Sequence, residues 1–303
     1  MYMYGKRATG VSFGPPAPLS ALKGKNVLVV GGTGGLGRAL AKAAATAGAN
    51  VVVAGRTYRD AGVPGISFVS TDASSMKAAA ALGASVEPVP DTVIFTTGTC
   101  AGAQREETAE GLETDMATSA LSRIATLNTL LPRLKTGARV FVWGMPGNGH
   151  SEKGQETHLD DLNATKNKWA AGFGWQHLNT VAVNEALVLH LAAQQAYTGK
   201  VAFFGCNPGL IAHSALRDKV HGGGCLGAVL EFILSLFTPS YKQAAARMWP
   251  VMAAPGLDAV SGALIGPSAT PILCARVFAT PGKADAVIAD AQALIAQALI
   301  VRK

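Results

Sequence analysis

A chain of 303 residues that is 49% hydrophobic and 15% charged can bury the core of one large α/β domain and is too apolar to remain disordered. Its net charge is +7, yet residues 1–59 hold no Asp or Glu against eight bases (Lys6, Arg7, Lys23, Lys25, Arg38, Lys42, Arg56 and Arg59), so the remainder sums to −1. Those bases are scattered and lack interleaved aromatics, which argues against a nucleic-acid surface, and no apolar run reaches the roughly 20 residues of a membrane span.

Met1 to Ala21 is basic, and Gly10, Gly14, Pro15, Pro16 and Pro18 break any amphipathic helix in it. Residues 1–22 therefore read as an extended arm over a single domain spanning 23–303. The domain opens on the stretch that organises the rest, Asn26 to Ala41. Val27 to Val30 is a short β-branched run suited to a parallel strand covered on both faces. It runs into Gly31-Gly32-Thr33-Gly34-Gly35-Leu36-Gly37, and an alanine-rich helix from Arg38 to Thr46 follows, with Gly48 as its C-cap. Gly31, Gly35 and Gly37 give the spacing of a turn that lets a diphosphate approach a helix N-terminus. Thr33, Gly34 and Leu36 supply the backbone between them.

A second apolar strand, Val51 to Ala54, completes the βαβ context and ends at Gly55-Arg56. An acidic residue there would hold a ribose 2′-hydroxyl, whereas a guanidinium suits a 2′-phosphate. The expected cofactor is therefore NADP rather than NAD. Ile66 to Asp72 reads as a third strand, Ala73 to Leu82 as a helix and Asp91 to Gly98 as a fourth strand. Glu106 to Leu134 reads as a long helical region and Arg139 to Trp143 as a fifth strand. A glycine-rich loop from Met145 to Gln155 precedes an apolar helix, Asn179 to Gln194, and a sixth strand, Val201 to Phe204. This alternation predicts a doubly wound parallel sheet, a Rossmann-type α/β fold. Ala284 to Val301 has apolar residues at helical spacing and reads as a closing or interfacial helix.

By its motifs the chain resembles the short-chain dehydrogenases/reductases over residues 24–215. Gly31, Gly35 and Gly37 match that family's cofactor glycines. Asp72 matches the acid lining the adenine pocket. Phe95-Thr96-Thr97-Gly98 stands where the family writes Asn-Asn-Ala-Gly, and Pro208-Gly209 matches the turn at the nicotinamide end. Glu107 to Glu113 and Leu159 to Asn163 are similar to the retinol-dehydrogenase-like branch, as is the helix carrying Asn184. The resemblance implies an Asn, Ser, Tyr, Lys catalytic set, but the aligned positions here hold Ser119, Gly144, His177 and Val181.

Two readings follow. In one, the chain is an NADP(H)-dependent oxidoreductase acting on a small, apolar carbonyl or alcohol compound, with His177 as the proton donor and Ser119 holding a water. In the other, it is a nucleotide-binding scaffold, accessory subunit or cofactor sensor without redox chemistry. Asp160 and Asp161 are adjacent and so point apart; they are expected to fix a loop. His150, His158 and His177 lack metal-ligand spacing, and no metal is expected. Cys100, Cys206, Cys225 and Cys274 show no CxxC pair and read as buried thiols in a reducing, cytoplasmic setting. The segment 212–250, with Val220, Leu226, Phe232 and Phe237, stands at the family's substrate lid and is expected to cover substrate, complete the core or pack on a second copy in a homo-oligomer.

Overall fold

The computed structural model describes residues 5–58, 60–100, 102–147, 157–170, 172, 174–212 and 237–300. The apolar run at the start becomes β1 (Asn26–Val30), buried from Val27 onward, and α1 (Gly35–Thr46) turns Leu40, Ala41 and Ala44 inward. In chain order there follow β2 (Asn50–Gly55), β3 (Ile66–Ser70), α2 (Met76–Ser85) and β4 (Thr92–Phe95). A helical run then comprises α3 (Thr114–Met116), a π-helical turn (Ala117–Leu121) and α4 (Ser122–Leu130). The rest is β5 (Ala138–Trp143), α5 (Trp175–Ala193), β6 (Val201–Cys206), α6 (Tyr241–Met252), β7 (Leu264–Ile265), β8 (Pro271–Ile272) and α7 (Lys283–Ile300).

The strands form one sheet in the order β3-β2-β1-β4-β5-β6-β7-β8, parallel throughout except for the antiparallel β7–β8 pair. Strand order reverses between β1 and β4, so a crevice for ligand belongs at their carboxyl ends. Side chains alternate across the sheet. Leu28, Val30, Val93, Phe95, Val140 and Val142 join the core under α2, α4, α5 and α7. Val27, Val29, Ile94, Phe141 and Phe204 join the one under α1 and α6.

Several expected elements shift. The region from Glu106 is not helical until Thr114, because Glu107 pairs with Glu113 around a turn whose Gly111 has φ +76°. The third strand stops at Ser70, and Ser75 caps α2 through the Ala78 N–H. The two-residue strands β7 and β8 are too short for any sequence period to show. Of the segment 212–250, residues 213–236 lie outside the described residues, and Tyr241 onward forms α6, which buries Met248 and Trp249 against α1. The Trp249 indole donates to the Leu40 carbonyl at 3.1 Å.

The amino-terminal residues lie on the domain. Ala8 donates to the Pro271 carbonyl at 3.0 Å and Leu273 to the Lys6 carbonyl at 2.7 Å, which extends the sheet beyond β8. Phe13 and Leu22 are buried in the α1–α6 core. α7 is tied to α4 by a reciprocal Asn128–Gln292 amide pair and to α5 by His190–Asp285. Among the described residues, no helix is long and apolar enough to cross a membrane.

Candidate active site

The glycine turn sits at the carboxyl end of β1. Gly31 has φ +90°, and a Cβ on Gly37 would strike the Gly31 carbonyl, so neither position accepts a side chain cheaply. The first turn of α1 has no side-chain cap and no acidic residue, and a Cβ on Gly34 would meet nothing within 4 Å. That open cradle over unengaged helix-end amides fits a cofactor diphosphate. Thr33 lies against Gly55, and the Tyr241 ring faces Gly35 at 3.3 Å from its built Cβ.

Arg56 is exposed just beyond β2. Two other bases in this region are already engaged: Arg38 binds both oxygens of Asp60 at 2.6 and 2.5 Å, and Lys42 adds a contact at 3.1 Å. The Arg38 hydrogen bonds hold the buried Asp60 carboxyl down at about 2. The local positive excess is therefore smaller than the acid-free count to residue 59 implies. Asp72 is exposed, and its Oδ1 accepts from the Ser74 N–H and hydroxyl at 2.9 and 2.8 Å. Thr97 and Gly98 follow β4. Pro208 and Gly209 follow β6, where Gly209 N donates to Asn207 Oδ1 at 2.9 Å and Asn207 donates to the Pro146 carbonyl at 3.2 Å.

Ser119 and His177 come from different helices but meet at one carboxylate, which sequence reasoning missed. Ser119 Oγ donates to Asp115 Oδ1 at 2.5 Å and accepts from the Thr99 N–H at 3.0 Å. His177 Nδ1 lies 2.7 Å from Asp115 Oδ2. Asp115, Ser119 and His177 are 1%, 4% and 8% exposed, so water screens this chain weakly. Ser119 lies in the π turn, a local irregularity that often marks a functional site. The i, i+4 spacing of Asp115 from Ser119 was the one available signal, and Asp115 itself was passed over within a long helical region.

Asp115 is placed by an interlocked loop pair. Glu113 caps α3, accepting from the Asp115 and Met116 N–H groups at 2.9 and 2.6 Å. Burial pushes the Glu113 carboxyl up, against the pull of those two donors. Glu113 N donates to Asn163 Oδ1 at 2.8 Å, and Asn163 donates to the Gly111 carbonyl at 3.1 Å. The stretches Glu107–Glu113 and Leu159–Asn163 thus touch each other. Asp161 takes N–H bonds from Thr165, Lys166 and Asn167, which outweigh burial and hold its carboxyl below the usual range. His158 and Asn179 exchange two hydrogen bonds, at 3.1 and 2.8 Å, fastening this loop to α5.

The other two substituted positions are occupied by packing. A Cβ on Gly144 would come within 2.9 Å of Asn184 Cβ, and Asn184 donates to the Ser119 and Thr180 carbonyls at 2.8 Å each. Val181 is buried at 6% exposure.

Two more charged groups escaped the sequence reading. Arg123, 2% exposed, donates to the Trp143 carbonyl at 2.7 Å and the Thr97 carbonyl at 2.6 Å. Burial pushes its guanidinium down to about 9, with Asp115 opposing, so it stays charged at neutral pH. Glu185, on α5, accepts from the Gly147 N–H at 2.7 Å and the Ala275 N–H at 2.5 Å. Burial pushes its carboxyl up to about 7. The expectation of four buried thiols needs correction: Cys100 and Cys206 are buried, Cys274 is exposed because it lies on the loop after β8, and Cys225 lies outside the described residues, as does His150. Among the described residues, no cluster of potential metal ligands occurs.

No family model matches the chain. It is 36% identical over 259 residues to an uncharacterized oxidoreductase of Saccharomyces cerevisiae, covering 82% of this chain and 81% of the yeast protein. A solved structure from Mycobacterium paratuberculosis superposes with TM-score 0.66 at 20% identity, covering 93% of this chain and 96% of that one. A Shigella flexneri short-chain dehydrogenase, solved in complex with NADP, superposes with TM-score 0.57 at 15% identity, covering 82% and 98%. The two superpositions establish the fold, which the short-chain dehydrogenase shares, and the yeast relative establishes the kinship: the chain belongs to one family with that oxidoreductase.

Proposed function

We propose that the protein is an NADP(H)-dependent oxidoreductase for a small, apolar carbonyl or alcohol substrate, with His177 exchanging the substrate proton in place of the family's tyrosine. The observation that carries this reading is the buried Ser119–Asp115–His177 chain beside the turn after β4. Gly31, Thr33, Gly34, Gly35, Leu36 and Gly37 would cradle the diphosphate and Arg56 the 2′-phosphate. Asp72 would border the adenine; Thr97, Gly98, Pro208 and Gly209 would line the nicotinamide end. The bound cofactor would supply or accept a hydride.

The chain's own residues manage the proton. With Nδ1–H directed at Asp115, Nε2 is the nitrogen that passes a proton to the carbonyl oxygen. The imidazole is left neutral and is reprotonated from solvent. Asp115, 2.7 Å from Nδ1, fixes the tautomer and orientation of the ring. Ser119 holds Asp115 and the turn at Thr99 in register. By the resemblance of Glu107–Glu113 and Leu159–Asn163, which touch each other, the chain is assigned to the retinol-dehydrogenase-like branch, with residues 212–250 as its lid-side segment.

The test is NADPH oxidation against a panel of apolar aldehydes, ketones and quinones. His177→Ala should lower turnover by about 10²- to 10⁴-fold while leaving NADPH affinity within about twofold. Tight NADPH binding with no turnover, or turnover unchanged by His177→Ala, refutes the assignment of His177 and leaves a binding protein.

A further inference from the structure

Arg123 lies on the same stripe of the helical run as Asp115 and Ser119, each four residues apart. It is among the largest fully buried side chains, packed on a helix whose neighbouring inward residues are Ala120, Ile124 and Leu127. Burying a guanidinium costs several kcal/mol unless its surroundings compensate. The compensation here is partial. Two N–H groups reach the carbonyls of Trp143 and Thr97, at the carboxyl ends of β5 and β4. No carboxylate of the described residues lies within ion-pair distance, and Arg123 Nε, Asn184 Oδ1 and Thr97 Oγ1 are buried without a partner among them. Joining two carbonyls needs only a neutral donor such as a glutamine amide. The positive charge is therefore what distinguishes this residue.

The place it occupies gives that charge a use. Thr97 opens the turn whose Thr99 N–H reaches Ser119, and Trp143 precedes Gly144, on which Asn184 presses. Resting on the NADP(H) reading above, we propose that Arg123 is a positioning cation: from α4 it fixes the carboxyl ends of β4 and β5 and places a positive charge beneath the nicotinamide end of the site. The family pattern would put a lysine on α5, where this chain has Val181. Arg123 restores a cation from the opposite helix. A charge there disfavours the cationic oxidised ring relative to the neutral reduced one and favours negative charge growing on a carbonyl oxygen.

The experiment compares the affinities of NADP⁺, NADPH and adenosine 2′,5′-bisphosphate for the full-length protein and for Arg123→Gln and Arg123→Lys. Arg123→Gln should tighten NADP⁺ relative to NADPH by about tenfold, the scale of one unit charge acting across a protein interior. Arg123→Lys should keep the wild-type ratio within about twofold, and the bisphosphate, which lacks the nicotinamide half, should bind all three proteins within about twofold. A folded Arg123→Gln protein with the wild-type NADP⁺ to NADPH ratio overturns the proposal, because loss of packing alone does not discriminate the two redox forms. Where Arg123→Gln fails to fold, the wild-type ratio decides: NADPH binding about tenfold tighter than NADP⁺ supports the charge, and equal or tighter NADP⁺ overturns it. A wild-type protein that binds none of the three ligands removes the cofactor reading itself, and this inference with it.

Discussion

Glu185 offers the sharpest test of how the site is held. Its carboxylate, 1% exposed, spans the loop after β5 at Gly147 and the loop after β8 at Ala275. A titratable group beside it is the Cys274 thiol, exposed but backed by protein on one side, which pushes it up first by partial burial and then through Glu185. Burial raises the Glu185 carboxyl from 4.5 to about 7 in the fold, against the pull of the two N–H donors. Between those two values the folded protein holds a proton that the unfolded chain has released. Stability from this group is therefore full below pH 4.5, falls as pH rises towards 7, and is flat above. At about 1.4 kcal/mol per pH unit over this span, the fall amounts to about 3.5 kcal/mol.

Glu185→Gln removes the titration but keeps the volume. The amide carbonyl still accepts one N–H, while its NH₂ meets the other donor head-on, so the variant loses about 1–3 kcal/mol where the wild type is protonated. At alkaline pH that deficit should shrink to nothing or reverse. Urea unfolding of both proteins in steps from about pH 5 to about pH 8 gives the difference directly, and other titrating groups cancel in it. A difference that stays constant within about 0.5 kcal/mol across that range would show that Glu185 titrates normally and that burial does not govern it.

Arg56→Ala should weaken NADPH by about tenfold and NADH by less than about twofold; equal loss for both would remove the 2′-phosphate argument. Asp115→Asn keeps shape but removes the charge facing His177 and Ser119. Turnover should drop by about 10- to 100-fold with cofactor affinity preserved, and wild-type turnover would break the link between Asp115 and His177.

The first strand, its glycine turn and the following helix were readable because their determinants are local. A β-branched run, glycines at fixed spacing and a helix start all fall within Asn26 to Ala41, and the sheet order repeats that unit. The basic count was less dependable: Asp60 follows the acid-free stretch immediately and binds Arg38 and Lys42. The rest of the site depends on chain segments brought together only by the fold. Asp115 and His177 are separated by 62 residues, and Arg123 meets Trp143 and Thr97 across 20 and 26. The region from Glu106 read as helix from its first residue, but Gly111 turns the chain back before the helix starts at Thr114. That turn brings Glu113 to cap α3 and sets the direction of Asp115.

In the proposed reading, the substitutions on α5 and the charges on the α3–α4 run form one arrangement. With Val181 in place of a lysine, α5 contributes the imidazole and the Asn184 amide, both of which reach across to the opposite run at Asp115 and Ser119. Gly144 allows this approach, since any side chain there would push Asn184 away. The ionic groups that govern the proton then reside on Asp115 and Arg123, while the group that carries it resides on α5. Such a site depends on the contact between two helices more than one whose proton donor and cation share a helix. It follows that enlarging Gly144 should impair turnover by misaligning Asn184 and Ser119, even though Gly144 itself carries no reactive group.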